Sequence, residues 1–424
     1  MKPKRKMYFS ISGAIILLIA IFLMSFRINE EGEILKAGVS KVKITPEDPV
    51  RMSGYAARTE PFKGVHDDLF ARAVVFKSST TKACIITSEV IGYSNDFIDE
   101  TRKMIEKETG IPAMNIFITA VHNHGGPRTR AYGEEPTENE IAYVKSLQEK
   151  IINLAKVANK NLQPVHIGVA KGTCAMNVNR RARHAEGGVW LGRNPGGVCD
   201  HEVGVVRLDD LSGKTIGLMV NWPCHATTGG QDNYMITGDW PGSAARELEK
   251  SFPGAEILIT AGASGDINPI YGPNTSFNDI DAIGQTLAAE VIHVGENTQT
   301  YPVKELEVSN EVIKADGKKN SESRMPNVSL EPAPEVDIRV SSMRIGNIVF
   351  AGISGELMNE IGLQIKEDSP FKNTFVITHC NGNSGYLCTD KAYKEGGYEP
   401  MVSRTMPGTE EKIDDTFRVM NNEL

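Results

Sequence analysis

Five apolar runs of strand length in this chain stop abruptly in loops rich in chemically capable side chains. Ile116–Ala120 leads into Val121-His-Asn-His124, then a Gly-Gly-Pro127 turn. Thr215–Val220 leads into Asn221-Trp-Pro-Cys-His225, and Ile257–Ala261 into Gly262-Ala-Ser-Gly-Asp266. Ile348–Ile353 leads into Ser354-Gly-Glu356, and Phe375–Thr378 into His379-Cys-Asn-Gly-Asn-Ser-Gly-Tyr386. Apolar runs bounded in this way read as buried strands. In layered α/β folds ligands bind beyond the carboxyl ends of strands, so five such exits are expected to converge on one cleft.

Between these runs the hydrophobic period changes. Ala71–Phe76, Ala83–Thr87, Val165–Ala170 and Val203–Leu208 read as further strands. Phe97, Ile98, Thr101 and Ile105 form a helical stripe within Asn95–Thr109, stopped by Gly110. Residues 136–158 predict a second amphipathic helix, with Ile141, Val144, Leu147, Ile151 and Leu154 on one side. Residues 241–252 and 279–294 predict two more, and another starts from Glu356. The segment 317–334, rich in Ser, Asn, Lys and Pro, reads as a mobile surface loop, and 336–353 as a hairpin turning at Gly346-Asn347. Strands alternating with helices give an α/β class: a layered, mixed β-sheet core flanked by helices.

The N-terminus follows other rules. Lys2, Lys4, Arg5 and Lys6 precede an uncharged run from Met7 to Phe26. About 20 apolar residues suffice to cross a bilayer, and the basic cluster favours a cytoplasmic N-terminus. Residues 1–28 are therefore expected to form a transmembrane signal anchor, with 29–36 a stalk and 37–424 one domain outside the cytoplasm at the cell membrane. A cleaved signal, and hence secretion, is the alternative, disfavoured by the lack of an Ala-x-Ala site. The net charge of -8 argues against nucleic acid as a partner. Nothing in the sequence fixes an oligomeric state. Six cysteines show no C-x-x-C spacing, which leaves thiolate zinc aside; Cys380 and Cys388 are the closest pair in sequence and could bridge a loop.

His122, His225 and Glu356 supply two imidazoles and a carboxylate, a donor set suited to a catalytic zinc with one position open for water. His124, two residues along from His122, diverges from it if strand geometry continues, and is better placed as a proton shuttle.

At this point the chain resembles the catalytic domain of neutral, non-lysosomal ceramidases. The likeness rests on Ala37-Gly-Val-Ser-Lys-Val-Lys-Ile-Thr-Pro46, Met52-Ser-Gly-Tyr55 and Gly64-Val-His-Asp-Asp-Leu-Phe-Ala-Arg-Ala73. It continues through His122-x-His-x-Gly-Pro127, Asn179-Arg180, Asn221-Trp-x-x-His225 and Gly265-Asp-Ile-Asn-Pro269. It ends with Gly355-Glu356, Asn383-Ser-Gly-Tyr386 and Gly396-Gly-Tyr-Glu399. The resemblance implies zinc held by His122, His225, Glu356 and Tyr386. It implies proton transfer by His124, substrate contact by Arg180 and oxyanion stabilisation by Tyr398. The implied substrate is lipid-like, an N-acylsphingosine split into sphingosine and fatty acid. Two departures stand out. The family's serine in a Ser-x-x-Gly-Asp motif aligns with Gly262, and the family's C-terminal β-sandwich is not expected in the residues up to Leu424. Three alternatives stay open: hydrolysis of another amide or ester, a serine hydrolase using Ser264, and a non-catalytic surface binding protein of the same fold.

Overall fold

The computed structural model describes residues 34–131, 133–274, 276–321 and 328–424. The expected anchor over 1–28 and most of the stalk lie outside the described residues. Among those described, no helix is long and apolar enough to cross a membrane.

Two sheets and two sets of helices form the layers. The larger sheet contains β1 (Lys36–Lys43), β2 (Phe70–Lys77), β3 (Lys82–Ser88), β4 (Ile116–Ala120), β5 (Gln163–Thr173), β8 (Glu202–Asp210), β9 (Thr215–Trp222) and β10 (Glu256–Ala261). Their order is β10-β9-β8-β5-β1-β2-β3-β4, with the short strand Tyr301–Pro302 on β5. The pairs β3–β4 and β9–β10 are parallel, whereas β1–β2, β2–β3 and β8–β9 are antiparallel. The sheet is therefore mixed, as expected. β6 (Asn177–Arg183) and β7 (Val189–Asn194) form a hairpin beside it. The smaller sheet runs β11 (Leu306–Lys318), β12 (Pro332–Ile345), β13 (Ile348–Ile353), β15 (Asn373–Ile377). A two-residue parallel pair joins β14 (Glu356–Leu357) to β16 (Tyr386–Leu387).

Side-chain alternation assigns the layers. On β2, Ala71, Ala73 and Val75 pack under α1 (Asn95–Thr109) and α2 (Glu138–Lys160). Val74 and Phe76 face the other way, onto Phe350, Phe375 and Ile377 of the smaller sheet. Val205, Val220 and Ile259 sit under α3 (Asp239–Ser251) and α4 (Phe277–Glu296). The far face of the smaller sheet, including Val340 and Val376, is covered by α5 (Asn359–Asp368) and α6 (Thr409–Glu423). Period-2 alternation with both faces apolar is what sheets buried on two sides require.

Local sequence explains several ends. Ser94 Oγ caps α1 by accepting from Phe97 N, and Gly110 closes it at φ 67°. Thr137 and Glu140 form a reciprocal capping box on α2. Four expectations need correction. Ile141 is 57% exposed; the buried face of α2 carries Tyr143, Leu147, Ile151 and Leu154 instead. The segment 317–334 is not wholly loop, because Gly317 and Lys318 pair with Ala333 and Pro332, extending the β11–β12 ladder; residues 322–327 lie outside the described ones. No helix starts at Glu356, since its backbone is used in pairing with Tyr386; α5 begins at Asn359. Cys380 and Cys388 are free thiols packed in different apolar clusters.

Candidate metal centre

The five strand exits meet at one end of the layered core. The loop after β15 closes them together. Thr378 N donates to Ala261 O at the end of β10, and Asn381 N donates to Ile118 O of β4. Asn381 Oδ1 in turn accepts from Ile118 N. This wedge holds the ends of β4, β10 and β15 within one wall.

His122, His225 and Glu356 come from three of these exits. His122 Nε2 lies 3.3 Å from Glu356 Oε2, and His225 Nε2 lies 3.4 Å from the same oxygen. Each imidazole is fixed from behind. His122 Nδ1 donates to Ile91 O at 2.9 Å, and His225 Nδ1 to Ser264 O at 2.6 Å. A proton on Nδ1 leaves Nε2 as a bare lone pair, the tautomer that metal-ligating histidines adopt. Two lone-pair nitrogens thus face a carboxylate oxygen that is buried without a hydrogen-bond donor. Acceptors facing acceptors are unfavourable unless a cation lies between them. Metal–ligand distances of about 2.0–2.1 Å in a tetrahedron put neighbouring donors about 3.3 Å apart, which matches these separations. The donor set therefore fits a zinc-sized ion.

The protonation states agree with that fit. Burial, reinforced by Arg180, pulls the His225 imidazole down to about 4. Burial, with His122 and His225 nearby, holds His124 well below its usual value. Burial works to raise the Glu356 carboxyl, but His122 and His225 outweigh it and hold it well below the ordinary carboxylate range. At neutral pH His225 and His124 are therefore neutral and Glu356 is ionised, the forms that bind metal.

His124 does not diverge from His122. β4 ends at Ala120, and His122 adopts φ 58°, so the strand geometry assumed for the pair is broken. The two Nε2 atoms lie 3.2 Å apart, and His122, His124 and His225 form a cluster able to share an ion. His124 Nδ1 is buried without a partner. Tyr55 packs edge-on against the His124 ring at 5.1 Å.

Tyr386 is brought to Glu356 by the β14–β16 pairing. Burial and the Glu356 charge push its phenol well above the usual value. Arg180 is buried on β6. It donates to Glu399 (2.7 Å) and to the Tyr386 hydroxyl (3.1 Å), and its Nη1 lies 3.4 Å from His225 Nε2. Glu399 also takes Arg181 at 2.8 Å. The partners of Arg180 are thus protein groups: Glu399 and Asn268, and His225 and Tyr386 of the centre itself. Tyr398 lines the cleft above the centre, a cavity of about 380 Å³, together with Tyr55, His122, His124, Glu356 and Tyr386.

Ser264 and Gly262 fall elsewhere. Ser264 meets His225 through its backbone carbonyl. A Cβ at Gly262 would meet Pro223 atoms at 3.0 Å, so this glycine answers to packing. The Asp266 carboxylate accepts from Asn359 N and Asn179 Nδ2, tying α5 to β6. Asp239, the first residue of α3, accepts from Trp240 N and Gly229 N.

Three residues escaped the sequence reading. His379, at φ 52°, stacks on His122 with centroids 4.0 Å apart. Glu399 neutralises both arginines. Arg58 is buried and donates to the carbonyls of Ser53, His124 and Asn233, fixing the loop over His124. His379 lies in a strand exit and Glu399 ends the Gly396-Gly-Tyr-Glu399 motif, so both carried a usable signal; Arg58 carried none.

Comparison with known proteins bears on the family and the fold. The family profile for neutral/alkaline non-lysosomal ceramidase, N-terminal, matches residues 35–266. Neutral ceramidase A of Dictyostelium discoideum is 26% identical over 301 residues, covering 63% of this chain and 41% of that protein. Neutral ceramidase of Drosophila melanogaster is 26% identical over 289 residues, covering 61% and 40%. This chain thus matches about two fifths of the length of these relatives. The crystal structure of neutral ceramidase from Pseudomonas aeruginosa superposes with a TM-score of 0.77 over 92% of this chain and 75% of that one, at 16% identity. On the match across 35–266, the chain belongs to the neutral/alkaline non-lysosomal ceramidase family.

Proposed function

We propose that this protein is a zinc-dependent amidohydrolase that cleaves the N-acyl bond of a ceramide-like lipid. The observation that carries the reading is the convergence of His122 Nε2, His225 Nε2 and Glu356 Oε2, each imidazole anchored through Nδ1 to a backbone carbonyl. Tyr386 is the fourth ligand in this reading, held by its pairing with Glu356 and by Arg180. Zinc bound there would supply Lewis acidity and bring the pKa of water to about 7. His124, neutral and at the cleft wall, accepts a proton from the attacking water and returns it to the leaving nitrogen. Tyr398 donates to the carbonyl oxygen as charge develops on it. Arg180 orients Tyr386 rather than gripping substrate, since its donors are already engaged. Family membership supports the amide substrate, and an anchor over residues 1–28 would hold the domain at the outer face of the cell membrane, where such lipids lie.

The cluster of His122, His124 and His225 favours a second ligand set in which His124 replaces Tyr386. The chemistry would then lack its proton carrier.

The test is hydrolysis of a fluorescent short-acyl ceramide by the full chain in detergent, zinc-loaded and zinc-stripped. Zinc-dependent release of fatty acid is expected. Equal activity after stripping would overturn the metal reading, and no release from zinc-loaded folded protein would overturn the substrate.

A further inference from the structure

Beside the cleft, a second cavity of about 390 Å³ opens between α1 and α2. Phe97 of α1, Ile141 and Val144 of α2, and Ala131 and Pro136 of the segment before α2 give it a mainly apolar wall. The two cavities share Arg128, Arg130 and Glu134, so they adjoin across these side chains.

The neck between them is braced. Glu134 Oε2 takes Arg51 Nη1 at 2.5 Å and Arg128 Nη1 at 2.8 Å, and Arg51 also reaches Glu140 at 2.7 Å. Arg51 and Arg128 are therefore matched by carboxylates, which suits a neutral chain passing between them better than an anionic head. The cavity also accounts for Ile141. This large apolar residue is exposed on a helix whose opposite face is well packed, and it points its surface at the groove.

We propose that the α1–α2 groove is the subsite for a hydrocarbon tail of the substrate, with the reacting amide over the metal centre and the tail led past Glu134. The assignment rests on the amidase reading of that centre. A tail buried along Phe97, Ile141 and Val144 gains affinity by removing apolar surface from water, up to about fourfold per methylene. The tail has two sources in a lipid amide, the acyl side and the amine side, and the groove's chemistry suits either.

The experiment is calorimetric binding of linear amides to the full zinc-loaded chain. One series lengthens the acyl side, from acetamide to decanamide. The other lengthens the amine side, from N-methylacetamide to N-decylacetamide. Affinity is expected to climb about two- to fourfold per added methylene in one series, which identifies the tail. The climb should flatten in Ile141→Glu and persist in Ile141→Met. Because Ile141 is exposed, neither replacement removes core packing. Two flat series, or a climb that Ile141→Glu leaves intact, would overturn the proposal. Hydrolysis of a short-acyl amide is followed in parallel. Chain-length-dependent binding that Ile141→Glu abolishes, without hydrolysis of any amide, would remove the amidase reading and leave the groove standing as a site for lipid tails.

Discussion

At the scale of single residues, the centre is built on unusual backbone. His122, Asp239, His379 and Asn381 are the non-glycine residues with positive φ among those described, and His122 and His379 stack in the site while Asn381 anchors its wall. Such conformations cost of order 1–3 kcal/mol each and persist where the surroundings impose them. His122 and Glu356 were legible as chemistry at strand ends, while the place of His124 was not. The turn at His122 redirects the next side chain, and no spacing rule registers a single left-handed residue. The role of Glu399 was hidden for a related reason: its partners Arg180 and Arg181 lie more than two hundred positions away, and only the fold joins them. The role of His124 is decided by His124→Ala. If it carries protons, the variant keeps one equivalent of zinc and loses about 10²–10⁴-fold in turnover. Metal analysis beside kcat checks this, and loss of the zinc as well would make His124 a ligand.

At the scale of elements, strong periodicity was readable and composition misled. The bounds of α1 followed from Ser94, its apolar stripe and Gly110. β6, by contrast, reads Asn-Val-Asn-Arg-Arg-Ala-Arg, which has the composition of a solvated loop; it is a strand because Glu399 neutralises its buried arginines. α6 shows another limit. Ile413, Phe417 and Met420 bury its inner face, but Gly408 precedes it and no side chain caps its start. Its Asp414 makes a testable case. Burial, with Glu410, Asp368 and Asp415 adding negative charge, pushes this carboxyl up to about 7, and Oδ1 has no hydrogen-bond partner. In the unfolded chain it titrates near 3.9. Between those values the native state holds the proton more tightly, so its contribution to stability is complete at low pH and is lost as pH rises through about 7. Asp414→Asn is expected to stabilise the protein at pH 8 by about 1–2 kcal/mol, after allowance for solvent screening, and to change little at pH 4. Thermal unfolding of both proteins across that range reads the difference, and a gain confined to acid pH would refute the assignment.

At the scale of the whole molecule, the metal centre is a joint between layers. His122 and His225 leave the ends of β4 and β9 in the larger sheet, whereas Glu356 and Tyr386 belong to the segments that follow β13 and β15 in the smaller one. The sheets already share an apolar interface of Val74, Phe76, Phe117, Phe350 and Phe375. That interface is non-directional, and it stops short of the strand exits, where the buried groups are polar. Without a cation, the Glu356 carboxylate and two imidazole lone pairs oppose one another across this end of the joint. With one, the same groups become a cross-link between sheets. An ion that binds only the folded state adds about 2.7 kcal/mol at a free concentration one hundred times its dissociation constant. Chelation is therefore expected to lower the melting temperature by several degrees, and added zinc to restore it. Glu356→Gln separates this coupling from general packing. The amide keeps the volume and removes the charge, so the variant should gain little from zinc, while its own melting temperature lies at or above that of the stripped parent because the opposed acceptors are relieved. A parent whose melting point ignores zinc would mean that the two sheets are held by the apolar interface alone.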